Sequence, residues 1–237
     1  SLSNKLTEKG QPHHGSPDKD PKFRMQTLIE AGKQKVPFTT GILIGIGETR
    51  FERLESLFEI AELHKKYDHI QEVIVQNFKA KPNTLMAHSP EPSFDELLWT
   101  IAMARLILPA DISLQVPPNL NLKYLDRLFV SGINDLGGIS PITKDYVNPE
   151  AAWPEIQNLA KIALKSNQSL KSRATLYPKY FSALGEFTSK KIASRLLNKV
   201  DAQFLIRSDN WQSGISTEIP KINYGISCLS IKQQIQR

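Results

Sequence analysis

Cysteine is nearly absent from this chain of 237 residues, where Cys228 stands alone. A single thiol excludes an internal disulfide framework and any all-cysteine metal site built from this chain by itself. No run approaches the roughly 18 apolar residues of a membrane span, and the first residues lack the basic and apolar regions of a signal peptide. A membrane role is therefore not expected, and a cytoplasmic location is. Histidine is scarce as well, and His64 and His69 lie five apart, unlike the i, i+4 pair of a zinc helix. No metal site is expected from these side chains. His13 and His14 fall in a polar loop, where a solvated pair is the plain reading and a catalytic role the alternative. There is no RNP-like aromatic strand and no recognisable helix-turn-helix. The net charge of +6 is spread over Lys161, Lys165, Lys171, Arg173, Lys190, Lys191, Arg195 and Lys199, most of them on predicted helical surface. That pattern describes a solvated exterior, so nucleic acid is not an expected partner.

What is present is a strand and helix rhythm. Phe38 to Ile46 is short, apolar and β-branched enough for a strand covered on both faces, and Gly41, Gly45 and Gly47 remove side chains where another group comes close. Helical spacing begins at Phe51, which puts Glu48 and Glu52 near the positive end of a helix dipole. Such a junction either holds a ligand or only lets strand and helix pack. Asp20-Pro21 predicts the start of an earlier helix, with Gly32 at its end. Further strands are predicted at 72–77, 112–116 and 134–137, separated by helices that begin at Ser93 and near Leu122. Four strand and helix units in succession imply a parallel sheet with right-handed crossovers. From 147 to 210 the pattern is mostly helical, and 211–237 reads as a loosely held tail.

In parallel βα proteins the working groups gather at the carboxyl ends of the strands. Here those ends carry Gly45, Gly47 and Glu48, then Gln76, Asn77 and Phe78, then Gln115 and Asn119, then Asn134, Asp135, Gly137 and Gly138. The set is rich in neutral amides, which hold a polar heterocycle or a ribose better than they move protons. It suits an enzyme whose cofactor performs the difficult step. Gly137-Gly138 either cradles a phosphate or merely turns the chain.

These strings, Val36-Pro37-Phe38-Thr39-Thr40-Gly41-Ile42-Leu43-Ile44-Gly45-Ile46-Gly47-Glu48-Thr49, Gln76 to Thr84, Pro117 to Leu120 and Gly132 to Gly138, occur in an order that resembles the radical S-adenosylmethionine subunit of FO synthase. The likeness runs from about residue 1 to 210. It implies an α/β fold in which residues 1–146 form the C-terminal half of a radical-SAM (β/α) TIM-like barrel, followed by a helical C-terminal region packing on it. It also implies a [4Fe-4S] cluster, S-adenosyl-L-methionine, and a 5'-deoxyadenosyl radical that abstracts hydrogen from a tyrosine-derived uracil adduct. The companion subunit of the synthase would supply that adduct. Gly41, Leu43, Gly45 and Glu48 match the family's GxIxGxxE string, which lies against the adenosyl part of the cofactor. By the same resemblance Gln76, Asn77, Gln115, Asn119, Asn134 and Asp135 would bind the uracil and ribityl groups of the small-molecule substrate.

Two departures stand out. Asn83 replaces the family's usual glycine, and asparagine is the other residue that tolerates a left-handed turn. More consequentially, the CxxxCxxC loop that ligates the cluster has no counterpart here, and thiolates are what such clusters need. Matching to the family places Ser1 just past the fourth barrel strand, so the expected chain is a C-terminal part, inactive alone. A non-catalytic scaffold that binds a partner is one alternative. A conventional barrel aldolase or lyase using Gly137-Gly138 for phosphate, with Lys79 or Asp135 in catalysis, is another.

Overall fold

The computed structural model describes residues 2–140 and 142–209. The predicted tail and Cys228 lie outside the described residues. Asp20 accepts a hydrogen bond from the Lys22 amide at 2.8 Å, and Pro21 opens helix α1 (Pro21–Lys33) as expected. Gly32 does not end that helix. It lies inside, where a Cβ would stand 2.6 Å from Tyr67 Cγ, so its bare backbone is what lets α1 approach the end of the next helix.

Strand β1 (Phe38–Ile44) feeds a glycine turn and then α2 (Arg50–Tyr67). Thr49 and Glu52 close a reciprocal capping box at the start of α2. Strand β2 (Ile70–Asn77) follows, then α3 (Phe94–Ile107), whose first turn is capped by Ser93 accepting from the Glu96 amide at 3.2 Å. After β3 (Ser113–Gln115) come a short turn of helix α4 (Pro118–Asn121), a 3-10 turn and α5 (Leu125–Ser131). The three strands run parallel in the order β1, β2, β3.

The fourth predicted strand is reduced to one parallel bridge between Gln115 and Asp135. Its ladder is pre-empted by side chains. Asn134 Oδ1 accepts the Leu114 amide at 2.7 Å, the Asn134 and Asp135 amides converge on the Leu114 carbonyl at 3.1 and 3.3 Å, and Gly137 turns away at φ +71°. Asn83 adopts φ +64°, the left-handed turn its residue type was expected to tolerate.

Alternation divides the sheet into two unlike faces. Ile42, Ile44, Val73, Val75 and Leu114 face α2, α3 and α5 and pack with Leu57, Ile60, Leu97, Ile101, Leu125 and Leu128. Each such side chain contributes about 1.5–3 kcal/mol when fully buried, before entropy is charged against it. Helix α6 (Ile156–Lys165) adds Leu159 and Ala163 to the same core. The opposite face carries Thr39, Gly41, Leu43, Glu72, Ile74, Gln76, Ser113 and Gln115, none of which belongs to the main core cluster among the described residues. A second, small cluster of Ala174, Phe181, Leu184 and Val200 is gathered around α7 (Leu184–Phe187) and α8 (Lys190–Leu197).

The architecture is thus α/β on a parallel sheet, as the rhythm of the sequence predicts. The described strands form an open sheet rather than a closed barrel. No helix among the described residues is long and apolar enough to cross a membrane.

Candidate functional site

The glycine turn after β1 is organised around Glu48, whose side chain is fully buried. Its Oε1 accepts the Gly45 amide at 2.7 Å and its Oε2 the Ile46 amide at 2.9 Å. Arg53 Nε donates to the same Oε1 at 2.7 Å, and Arg53 Nη1 reaches Glu96 at 2.7 Å and Thr100 at 3.2 Å. Glu48 is therefore a clasp that shapes the turn, and both of its oxygens are spent inside the protein. Gly45 and Gly47 take φ of +88° and +111°, which an L side chain resists. The space beside Gly45, expected from the sequence to admit a cofactor, is filled by Pro92, whose Cδ would lie 2.5 Å from a Cβ.

Beyond that turn the carboxyl ends of β1 and β2 open into a cleft of about 720 Å³. Leu43, Gln76 and Phe78 form its floor, Pro12 and His14 come from the N-terminal loop, and Met86, Lys81 and Asn148 complete the wall. The cations beside it are already paired. Lys79 meets Glu91 at 2.6 Å, and Lys81 meets Asn148 Oδ1 at 3.0 Å together with the Val147 carbonyl.

The six polar residues singled out from the sequence separate into distinct roles. Gln76 lines the cleft. Gln115 stands on the same face but presses its amide against the backbone of Gly137. Asn77 is buried and accepts from Asn121 Nδ2 at 2.9 Å. Asn119 donates to Asp145 at 2.9 Å and to the Ala151 carbonyl at 3.2 Å, and Asn134 seals the edge of β3. Asp135 is held by Arg173 through two hydrogen bonds, at 2.6 and 3.0 Å, and accepts the Gly137 amide at 2.6 Å. Only Gln76 among them opens into the cleft.

Arg173, read from the sequence as one more surface cation, is instead mostly buried. It bridges Asp135 to Glu72 and stacks its guanidinium 3.9 Å from the Tyr177 ring centre. Burial pushes the Glu72 carboxyl up, and the Asp135 charge adds to that against hydrogen bonding and the Arg173 charge. Burial likewise pushes the Tyr177 hydroxyl up. Spacing gave no signal for this group, since its members lie on three distant segments.

A cluster of His64, Asp68 and Asp111 has the separations of a metal site, and Lys179 already supplies its cation. The ammonium is 2.8 Å from Asp111, 3.3 Å from Asp68 and 3.3 Å from His64 Nε2.

No protein-family model matches the chain. Similar proteins do. The chain is 53% identical over 179 residues to 7,8-didemethyl-8-hydroxy-5-deazariboflavin synthase of Methanopyrus kandleri, an overlap of 76% of this chain and 53% of the relative. It is 51% identical over 184 residues to the protein of that name from Methanococcus maripaludis, covering 78% of this chain and 55% of the relative. Identity is 47% over 197 residues to FO synthase of Nocardia farcinica, or 83% of this chain and 23% of that longer protein. The chain thus spans about half the length of the first two relatives and about a quarter of the third. Identity near one residue in two, sustained along three-quarters of this sequence, places the chain in the FO synthase family.

Proposed function

We propose that the chain is the C-terminal half of a radical S-adenosylmethionine (β/α) barrel in coenzyme F420 biosynthesis. Joined to a half that carries the cluster cysteines, it would convert 5-amino-5-(4-hydroxybenzyl)-6-(D-ribitylimino)-5,6-dihydrouracil to the deazaflavin with loss of ammonia. The companion synthase subunit supplies that adduct. One observation carries the reading: about 50% identity to synthases of this name falls on a parallel sheet whose first two strands end at one cleft.

The [4Fe-4S] cluster does not fit this chain by itself, since one cysteine cannot supply three thiolates. S-adenosyl-L-methionine does fit, because the cleft offers volume, the apolar surfaces of Leu43 and Phe78, and a polar wall. When bound beside a reduced cluster it supplies the hydrogen-abstracting chemistry. In this reading Leu43 lines the adenosyl side, Gly41 lies one layer below it against the Ile74 carbonyl, and Glu48 acts indirectly by fixing the Gly45–Gly47 turn. Gln76 faces the uracil and ribityl groups, and Gln115 backs Gly137 behind that surface. Asn77, Asn119, Asn134 and Asp135 hold the backbone from which that surface is built.

A conventional aldolase is disfavoured by the same geometry. Lys79 is paired with Glu91, Asp135 is spent on Arg173, and the Gly137 amide that would cradle a phosphate already faces a carboxylate.

Anaerobic reconstitution tests the reading. The 237-residue chain alone is expected to bind no stoichiometric cluster iron and to form no 5'-deoxyadenosine. A hybrid joining it to the part of the Methanopyrus kandleri relative that it does not cover is expected to produce both 5'-deoxyadenosine and deazaflavin. A hybrid that folds and loads its cluster yet makes neither would favour the scaffold alternative and overturn the proposal.

A further inference from the structure

The fourth predicted strand has only one bridge to the sheet, yet the loop that follows it brings Val147 and Asn148 to the cleft. A single bridge is a weak tether. Asn134 and Asp135 add hydrogen bonds to Leu114, and a further restraint comes from the opposite end of the sheet.

Register sorts the face opposite the main core into layers along the strands. Thr39, Glu72 and Ser113 lie nearest the strand starts, Gly41, Ile74 and Gln115 in the middle, and Leu43 with Gln76 at the cleft. Arg173 enters at the lowest layer. Its Nη2 is 3.3 Å from Glu72 Oε1, while Nε and Nη2 fork onto the two oxygens of Asp135, which pairs with Gln115 one layer higher.

The segment that carries Arg173 is itself anchored to β2. The register of β1 on β2 slips between Phe38 and Thr39, so Gln71 has no opposite residue. Its freed amide donates to the Thr175 carbonyl at 3.2 Å and accepts the Tyr177 amide at 3.4 Å. Tyr177 in turn backs the guanidinium. On the far side, Ile206 donates to the Ser172 carbonyl at 2.9 Å, tying the segment to the second cluster. Arg173 is therefore pre-positioned before it meets either acid.

We propose that Arg173 is a positioning residue. By clamping Asp135 it fixes the single-bridge fourth strand and the point from which the loop to Asn148 departs. Asp135 passes the restraint on, since its Oδ1 accepts both Arg173 and the Gly137 amide. Further along, Asp145 accepts from the Val147 and Asn148 amides and from Asn119, and Asn148 reaches Lys81 at the cleft wall. The C-terminal segment thus completes the site from below rather than merely packing on the sheet. The planar fork is essential to this role, because lysine offers a point charge without the paired geometry.

The test is amide exchange on the whole chain, read peptide by peptide. Arg173→Met and Asp135→Asn are expected to speed exchange over residues 134–139 by about tenfold, the equivalent of about 1.4 kcal/mol of lost protection. Glu72→Gln keeps the Asp135 fork and should leave that peptide unchanged. Peptides from β1 and β2 should keep their parental rates in all three variants. The proposal is overturned if Arg173→Met leaves 134–139 protected. It is overturned equally if β1 and β2 open together with that peptide, which would make Arg173 a general stabiliser.

A second arm rests on the proposed function. In the active hybrid, Arg173→Lys should raise KM for the uracil adduct several-fold while 5'-deoxyadenosine formation persists. Equal loss of both would count against positioning. A parental hybrid without activity would instead overturn the functional reading, and the exchange experiment would still decide the role of Arg173.

Discussion

Arg53→Met is expected to lower stability by about 3 to 5 kcal/mol, the usual cost of stranding one partner of a buried ion pair. Arg53 is 7% exposed and Glu48 fully buried, so the carboxylate left behind has little access to water. Two amides, from Gly45 and Ile46, would remain as its donors. The same change frees Glu96, but that group is partly exposed and keeps Arg50 at 2.6 Å. The damage should therefore be traced to Glu48. Adding Glu48→Gln to Arg53→Met removes the stranded charge while keeping an acceptor for one amide, and should recover a large part of the loss. Urea unfolding of the parent, the single and the double variant measures this. A single variant within about 1 kcal/mol of the parent would place the pair among ordinary surface ion pairs and refute the clasp.

The turn that this pair holds was legible in the sequence, but its internal logic was not. Three glycines between an apolar run and a helical repeat are enough to predict strand, turn and helix. That Glu48 folds back onto the amides of Gly45 and Ile46 depends on a partner five residues on, and that partner on Glu96 across the helix interface. Local spacing cannot show such a chain. Three elements, β1, β2 and α3, match their predicted positions within a residue or two, because buried apolar residues and, for α3, a side-chain cap mark them independently. The fourth strand was legible as an extended segment only. Its pairing was lost to Asn134, whose side chain occupies the Leu114 amide.

The candidate site divides along the same line. Strand-end rules find the residues that gather near the cleft, Gln76 among them, because topology places every strand end on one side of the sheet. They do not say which amides point outward. Asn77, Asn119 and Asn134 are consumed by internal hydrogen bonds, as their small side chains compete well for nearby backbone and amide groups. Arg173 escaped notice for the opposite reason. A single basic residue between lysines has no pattern of its own, and its acidic partners lie 38 and 101 residues away.

Gly45→Val in the hybrid enzyme is expected to lose most cofactor cleavage, through the turn rather than through the cofactor's own space. A non-glycine residue at φ +88° costs about 1–2 kcal/mol, and the contact with Pro92 adds about 1–3 kcal/mol of overpacking. Relief of that strain would distort the Gly45–Gly47 turn, and with it Ile46, which lines the cleft. Asn119→Ala should behave differently. It removes hydrogen bonds to Asp145 and the Ala151 carbonyl, at about 1 kcal/mol each, and loosens the loop that presents Asn148. Cofactor cleavage should then persist while deazaflavin formation falls. Measuring 5'-deoxyadenosine, deazaflavin and thermal stability for each variant separates the cases. Gly45→Ala combined with Pro92→Gly serves as the control, since it removes all three clashing atoms of Pro92 and leaves the backbone cost. If that pair is as defective as Gly45→Val, strain at φ +88° accounts for the loss. If Gly45→Val keeps parental cleavage, or Asn119→Ala loses cleavage and product in equal measure, the division between a β1 cofactor turn and a substrate loop held by Asn119 is wrong.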